Sequence, residues 1–367
     1  MLDPRIAKLA KVLVHYSLEI RTNDLFRISG PALAVPLITA VYREALGAGA
    51  HPFVRVALDG LEEIYLKGAS EEQLRFVSDL QRLETERITA SLGIWGEWNT
   101  RELTRIDPKR VALRREATRE LQHRFLERAA SGELRWCGTQ YPTHAEAQDA
   151  EMSLAEYEDF VFGAGLLDRD DPVAAWEQVR REQDRVTEFL DRCKHLAVRG
   201  PDIDLELSVG GRKWINAAGE SNFPDGEVFT GPVEDSANGR VRFSFPAIYD
   251  GREVEGVELL FERGKVVQAR AAKGEEFLQA MLETDRGARY LGEFAFGTNY
   301  NITRFTRNIL FDEKIGGTLH MALGAGYPET GSTNVSGLHW DMICDLRNGA
   351  EVLADGEIAY RDGRFLI

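Results

Sequence analysis

The sequence has 367 residues, 43% of them hydrophobic and 29% charged, with a formal net charge of -15. That length exceeds what one compact core usually serves, so two domains are expected. The acidic balance excludes a nucleic-acid partner, which needs concentrated Lys and Arg, and no apolar run reaches the ~18 residues of a membrane span.

In chain order, the first segment carries Leu2, Ile6, Leu9 and Leu13 at helical spacing and reads as an amphipathic helix packed on the domain. Charges interrupt it throughout, so it has no secretory core. Strands are predicted at 25–30, 51–58, 87–95 and 133–142, with helices over 70–86 and 115–130 between them. Strands alternating with helices imply parallel βαβ units, hence an α/β domain with a doubly wound, mostly parallel sheet. One long helix over 171–196 then leads out, and the Arg-Gly-Pro-Asp sequence at 199–202 breaks the pattern. The boundary is therefore placed between an α/β domain at 1–198 and a second domain at 199–367.

The second half alternates polar and apolar residues and is punctuated by Gly pairs and Asp-Gly turns, the mark of antiparallel hairpins. One helix, 274–287, interrupts it. This gives a mixed α+β C-terminal domain rich in antiparallel strands. No GxGxxG follows a strand in the first half and no P-loop occurs, so the α/β texture supplies no function by itself. Cys137, Cys193 and Cys344 form no CxxC pair and read as packed thiols of a reducing compartment, with the cytoplasm as the expected location.

Chemistry collects in the second half. His15, His51, His123, His144 and His195 have no carboxylate or thiol at a ligand-like spacing and read as ordinary histidines, His195 near the end of the exit helix. His339 and Asp341 fall in Gly-Leu-His-Trp-Asp-Met-Ile-Cys-Asp-Leu (337–346). In a strand, residues two apart share a face, so both side chains converge while Trp340 turns away. His320 sits in a strand-like run bounded by glycines (316–324), which allow tight turns and close backbone approach. Tyr327 follows in a Gly-Tyr-Pro turn. Glu227 directly follows Pro-Asp-Gly, and Glu293 lies in the apolar run 290–299, where burying a lone carboxylate is costly unless it is paired or metal-bound. Together, two Glu, two His, one Asp and one Tyr at strand starts or in short strands form a two-metal ligand set. Lys314 and Arg347, near these runs, read as structural or rim charges.

The four blocks PDGEVFTGP, GEFAFGTN, DEKIGGTLHMALG and HWDMICDL, in this order, resemble the thermophilic-type metallo-aminopeptidases of the M29 peptidase family. They span the C-terminal half; the first half agrees in length and α/β texture. The resemblance implies a co-catalytic centre at Glu227, Glu293, His320, Tyr327, His339 and Asp341. Glu293 and Tyr327 are the residues expected to take part in catalysis, Glu293 as a bridging carboxylate. It further implies two divalent ions per chain, zinc or cobalt first and manganese or magnesium second. Peptides with a free N-terminus are the implied substrates, and a homodimer the implied assembly. The loop Pro-Glu-Thr-Gly-Ser-Thr-Asn-Val-Ser-Gly-Leu (328–338) looks short for the family, which bears on the pocket mouth. The family also contains ring-cleaving dioxygenases with one iron on two His and an Asp. The presence of Glu227 and Glu293 favours hydrolysis over that alternative.

Overall fold

Asp3 starts the first helix, Pro4–Val12: its carboxylate accepts the Arg5 backbone N–H at 2.8 Å, and Pro4 fills the first turn. Ile6 and Leu9 are buried on it, and Leu13 is buried in the π-turn Leu13–Ser17 that follows. The computed structural model describes residues 3–367, so Leu2 lies outside the described residues.

The chain divides into two units. Among the described residues, the first runs to Val173 and takes in 219–224, and the second comprises 174–218 with 225–367. In the first unit a parallel sheet runs in the order His51–Ala57, Leu25–Pro31, Ala90–Trp95, Arg135–Gln140 and Asn222–Phe223. The parallel α/β region is as the sequence predicts. Its fifth strand, Asn222–Phe223, arrives from much later in the chain. The helix expected over 70–86 is two helices, Glu71–Arg75 and Asp79–Arg87. Ser70 and Ser78 each form a capping box, with Gln73 and Gln81 respectively, so the second cap restarts the helix.

The long helix runs from Pro172 to Leu190, shorter than expected, and His195 opens the strand His195–Arg199 instead of closing the helix. The units therefore divide ahead of the expected 198/199 boundary, with most of this helix in the second unit. Gln183 gives the physical reason. Its amide nitrogen donates to Asn216 Oδ1 (2.6 Å) and to the carbonyls of Ala217 and Glu227 (both 3.0 Å), and its oxygen accepts the Thr298 hydroxyl at 2.9 Å. These bonds fasten the helix to the strands that follow it.

A two-stranded ribbon, Ala247–Tyr249 with Arg252–Val254, and two large antiparallel sheets build the second unit. One has eight strands, in the order Lys265–Arg270, Glu258–Glu262, Asn238–Arg242, Ile203–Ser208, His195–Arg199, Glu351–Ala354, Glu357–Arg361 and Arg364–Phe365. The other has five: His339–Asp345, Thr318–Gly324, Leu291–Gly297, Glu227–Thr230 and Ile215–Ala217. Both give residues to a single apolar core, among them Val198, Leu205, Val241 and Leu259 from the first and Phe294, Met321 and Trp340 from the second. The helix expected over 274–287 is Glu275–Leu282, entered through Gly274 in the left-handed region (φ 78°). All three cysteines are free and buried. Among the described residues, no helix is long and apolar enough to cross a membrane.

A candidate metal centre on one face of the five-stranded sheet

Strand alternation sorts the five-stranded sheet into two chemically distinct faces. Val228, Phe294, Phe296, Leu319, Met321, Leu323, Trp340, Met342 and Cys344 all join the apolar core. Their neighbours Glu227, Glu293, His320, His339 and Asp341 therefore occupy the opposite face. Cross-strand register brings them together. Ala322 stands opposite both Glu293 and Asp341, Ala295 opposite His320, and Gly297 opposite Glu227. Directly opposed residues share a face, and these three are small, which leaves room for the rings and carboxylates beside them.

Backbone irregularities complete the arrangement. A register shift between Leu291 and Glu293 changes the parity, so Leu291 joins the core while Glu293 faces the other way. Gly292 sits in that shift, where an added Cβ would lie 2.1 Å from the Ala325 carbonyl. Gly324 ends the His320 strand at φ 103°, and there a Cβ would meet the Leu338 carbonyl at 2.1 Å. The close backbone approach expected of the bounding glycines is thus present. The Pro-Asp-Gly turn before Glu227 is tied to the Gly-Thr-Asn turn after the Glu293 strand: Thr298 N–H donates to the Gly226 carbonyl (2.8 Å), and Asn299 Nδ2 donates to that of Asp225 (2.8 Å).

The imidazole and carboxylate atoms converge at similar separations. His320 Nε2 lies 3.4 Å from Glu227 Oε2 and 3.5 Å from Glu293 Oε1. His339 Nε2 lies 3.4 Å from Glu293 Oε2 and 3.5 Å from Asp341 Oδ1. These are long for charged hydrogen bonds. They match the ~3.3 Å edge of a tetrahedron whose nitrogen and oxygen ligands stand about 2.0–2.2 Å from a central ion. Glu227 Oε2, Asp341 Oδ1 and His320 Nδ1 are buried with no hydrogen-bond partner. Buried polar atoms are rarely left in that state, so the two carboxylate oxygens fit a site that receives cations. His339 Nδ1 lies 2.8 Å from the Ala325 carbonyl, which accepts its N–H and turns Nε2 toward the carboxylates. Among the described residues, three groups have ligand atoms within 4.8 Å of one another: Glu227–Glu293–His320, Glu293–His339–Asp341 and Glu313–His320–Asp341. The first two share Glu293.

Tyr327 also reaches the cluster. Its ring meets His339 edge-on at 5.2 Å between centroids and tilts against Phe229 at 5.4 Å. It remains 40% exposed, while His320 is 1% exposed, so the tyrosine marks the open side and His320 the closed one. All six predicted residues thus gather at one place. The other five histidines do not join them. His15, for example, pairs with Glu44 at 2.7 Å, and His123 sits 3.3 Å from Glu127 one helical turn on.

Two neighbouring residues have no place in the cluster read from the sequence. Glu313 follows the four-residue helix Ile309–Asp312, and its carboxylate reaches His320 and Asp341. Lys314, read from the sequence as a structural or rim charge, is 0% exposed: its ammonium pairs with Glu313 and lies 3.8 Å from Glu227 Oε1. Only the position of both in the quoted DEKIGGTLH run signalled them. Arg347 is the surface charge expected, paired with Asp345 at 2.5 Å and partly exposed.

Burial dominates the titration of these groups, and pairing sets the outcome. Burial alone lowers both imidazoles, but Glu293 and Glu227 raise His320 to about 9. Asp341 and Glu293 raise His339 to about 11. Against the same burial, the two imidazoles hold Glu293, and His339 holds Asp341, below the ordinary carboxylate range. Burial pushes Glu227 well up, with Lys314 opposing it in part, and pushes Glu313 up as well. Both imidazoles thus carry protons in the metal-free chain at neutral pH, and a ligating imidazole must shed its proton. Metal affinity is therefore expected to rise with pH between about 6 and 9, by about tenfold per unit for each proton displaced. Calorimetric metal titrations across that range check this, and a pH-independent affinity would contradict it.

A buried carboxylate–imidazole face on an antiparallel sheet is a donor set suited to holding divalent metal ions. Residues 2–365 match the family described as thermophilic metalloprotease (M29), and the chain belongs to it. It is 30% identical over 353 residues to Aminopeptidase 2 of Geobacillus stearothermophilus, covering 89% of this chain and 84% of that one. Aminopeptidase T of Thermus thermophilus is 29% identical over 349 residues, covering 88% and 85%. The solved structure of wild-type AmpT from Thermus thermophilus superimposes with a TM-score of 0.87 at 26% identity, over 100% of both chains. The ring-cleaving oxygenase alternative gains no support from these relatives, which are named aminopeptidases.

Proposed function

We propose that this chain is an aminopeptidase that removes residues from the free N-terminus of peptides through a two-metal centre. The observation that carries the reading is the convergence of Glu227, Glu293, His320, His339 and Asp341 on one sheet face, with two carboxylate oxygens buried without a hydrogen-bond partner. Glu227 and His320 would hold one ion and His339 and Asp341 the other, with Glu293 available to both. When bound, a pair of divalent ions, zinc or cobalt in this reading, acidifies water and polarises the scissile carbonyl.

The chain's own groups do the rest. In the metal-free chain the two protonated imidazoles hold Glu293 ionised between them, ready to ligate. Tyr327 keeps its phenolic proton, because burial and then the Glu293 carboxylate raise its pKa, so its O–H is available to donate to a developing oxyanion. Such a donor commonly contributes ~3 kcal/mol. Glu313, whose carboxylate lies beside His320 and Asp341, would take the proton of the attacking water on a carboxylate oxygen and pass it to the leaving amine. The homodimer implied by the family resemblance belongs to this reading and is checked by sedimentation.

The test is hydrolysis of aminoacyl p-nitroanilides and short peptides by metal-reconstituted protein, with N-acetylated counterparts and a chelator control. Cleavage of the free-amine substrates, lost on chelation and absent for the acetylated ones, is the expected result. Equal cleavage of acetylated substrates would overturn the restriction to N-termini.

A further inference from the structure

Lys314 is a fully buried cation at the edge of a cluster built to receive cations. Its ammonium pairs with Glu313 and approaches Glu227 Oε1 at 3.8 Å, while Glu227 Oε2 turns to His320. Its field falls chiefly on Glu227 and Glu313; at Asp341 it is weaker than the fields of His339 and His320. The two ligand groups joined by Glu293 therefore differ. Glu227–Glu293–His320 faces a buried ammonium through one of its own ligands, and Glu293–His339–Asp341 does not. Glu313 and Asp225 offset part of that charge, and the Glu313 carboxylate is shared with His320 and Asp341. On the closed side, where Lys314, Glu227 and His320 are buried, repulsion between a unit charge and a divalent ion is only weakly screened.

We infer that Lys314 makes the two metal positions unequal: the Glu293–His339–Asp341 position fills first, and the Glu227–Glu293–His320 position fills second and more weakly. This rests on the two-metal reading above and adds an order of loading to it. Lys314 is here a positioning residue that sets the affinity of one position through Glu227. The concentration of free metal then decides what fraction of molecules carries the complete centre.

The experiment is a stepwise titration of the metal-free, full-length chain with cobalt(II) alone, followed by equilibrium dialysis and visible absorption, with no activity readout. Wild type is expected to bind two equivalents in steps separated by at least ~10-fold in Kd. Lys314→Met should tighten the second step by a similar factor and leave the first nearly unchanged, whereas Lys314→Arg should keep the wild-type gap. A simple structural strut predicts the reverse, a second step weakened in Lys314→Met, and that result overturns the inference. Should Lys314→Met fail to fold by circular dichroism, two other variants decide the order. Glu227→Gln should remove the weak step only and Asp341→Asn the tight step only; the opposite pairing overturns it. Two equal steps in wild type overturn the inference but leave two metals standing. Saturation at one equivalent overturns both. Two unequal steps in a protein that cleaves no peptide leave the inference standing and remove the substrate reading.

Discussion

Replacement of Glu293 by Gln is expected to abolish metal-dependent peptide hydrolysis, lowering kcat/KM by at least ~10³-fold. The size follows from its place in the cluster. Glu293 is 4% exposed, it is the residue common to the Glu227–His320 and His339–Asp341 groups, and each of its oxygens faces a different imidazole. Gln keeps the shape but offers one oxygen in place of two and carries no charge. Removing it thus weakens both positions together, whereas loss of Glu227 or Asp341 touches one. Steady-state kinetics with metal analysis of the same preparation check this. Activity within tenfold of wild type at full metal loading would remove Glu293 from the proposed centre.

Trp340→Ala is expected to cost about 3–5 kcal/mol of stability, the range for truncating a large buried aromatic. Trp340 is 1% exposed and packs against Tyr249 and Phe277, with ring centroids 5.6 and 5.8 Å away. It lies between His339 and Asp341 in sequence yet on the opposite face of the sheet. The cavity therefore opens directly behind the two ligands, and weaker metal binding should accompany the loss. Trp340→Phe should be milder. The indole N–H is buried without a partner, and removing it relieves a cost of about 1–3 kcal/mol that offsets part of the lost packing. Denaturant melts of the metal-free proteins separate the outcomes. A loss below about 1 kcal/mol for the alanine variant would contradict the packing described.

The parts of this site that obey strand parity were legible in the sequence. His339 and Asp341 two apart, with Trp340 between them, need only the period of a strand to be placed on one face. Glu227 and Glu293 were legible because a carboxylate in an apolar run demands a partner. Lys314 was not, since a lysine beside a glutamate is by default a surface pair; its burial depends on the turn after Ile309–Asp312 and on the tie between residues 297–299 and 315–317. Gln183 was equally hidden: nothing in a helical pattern marks which amide will reach across to a strand. The alternation of strands and helices gave the parallel sheet of the first half. It could not reveal that Asn222–Phe223 completes that sheet, because pairing between distant segments leaves no local pattern.

That late strand governs how the protein can be taken apart. The chain leaves the second unit after residue 218, contributes 219–224 to the first, and returns at 225. A gene fragment starting at 199 would lack Gln183, the side chain that fastens the Glu227 backbone, and would carry an orphaned strand. A fragment ending at 198 would leave the parallel sheet one member short. No single cut yields both units whole. Dissection of the protein calls for a circularly permuted or two-piece design in which 174–218 and 225–367 are rejoined by a short synthetic bridge in place of the excursion.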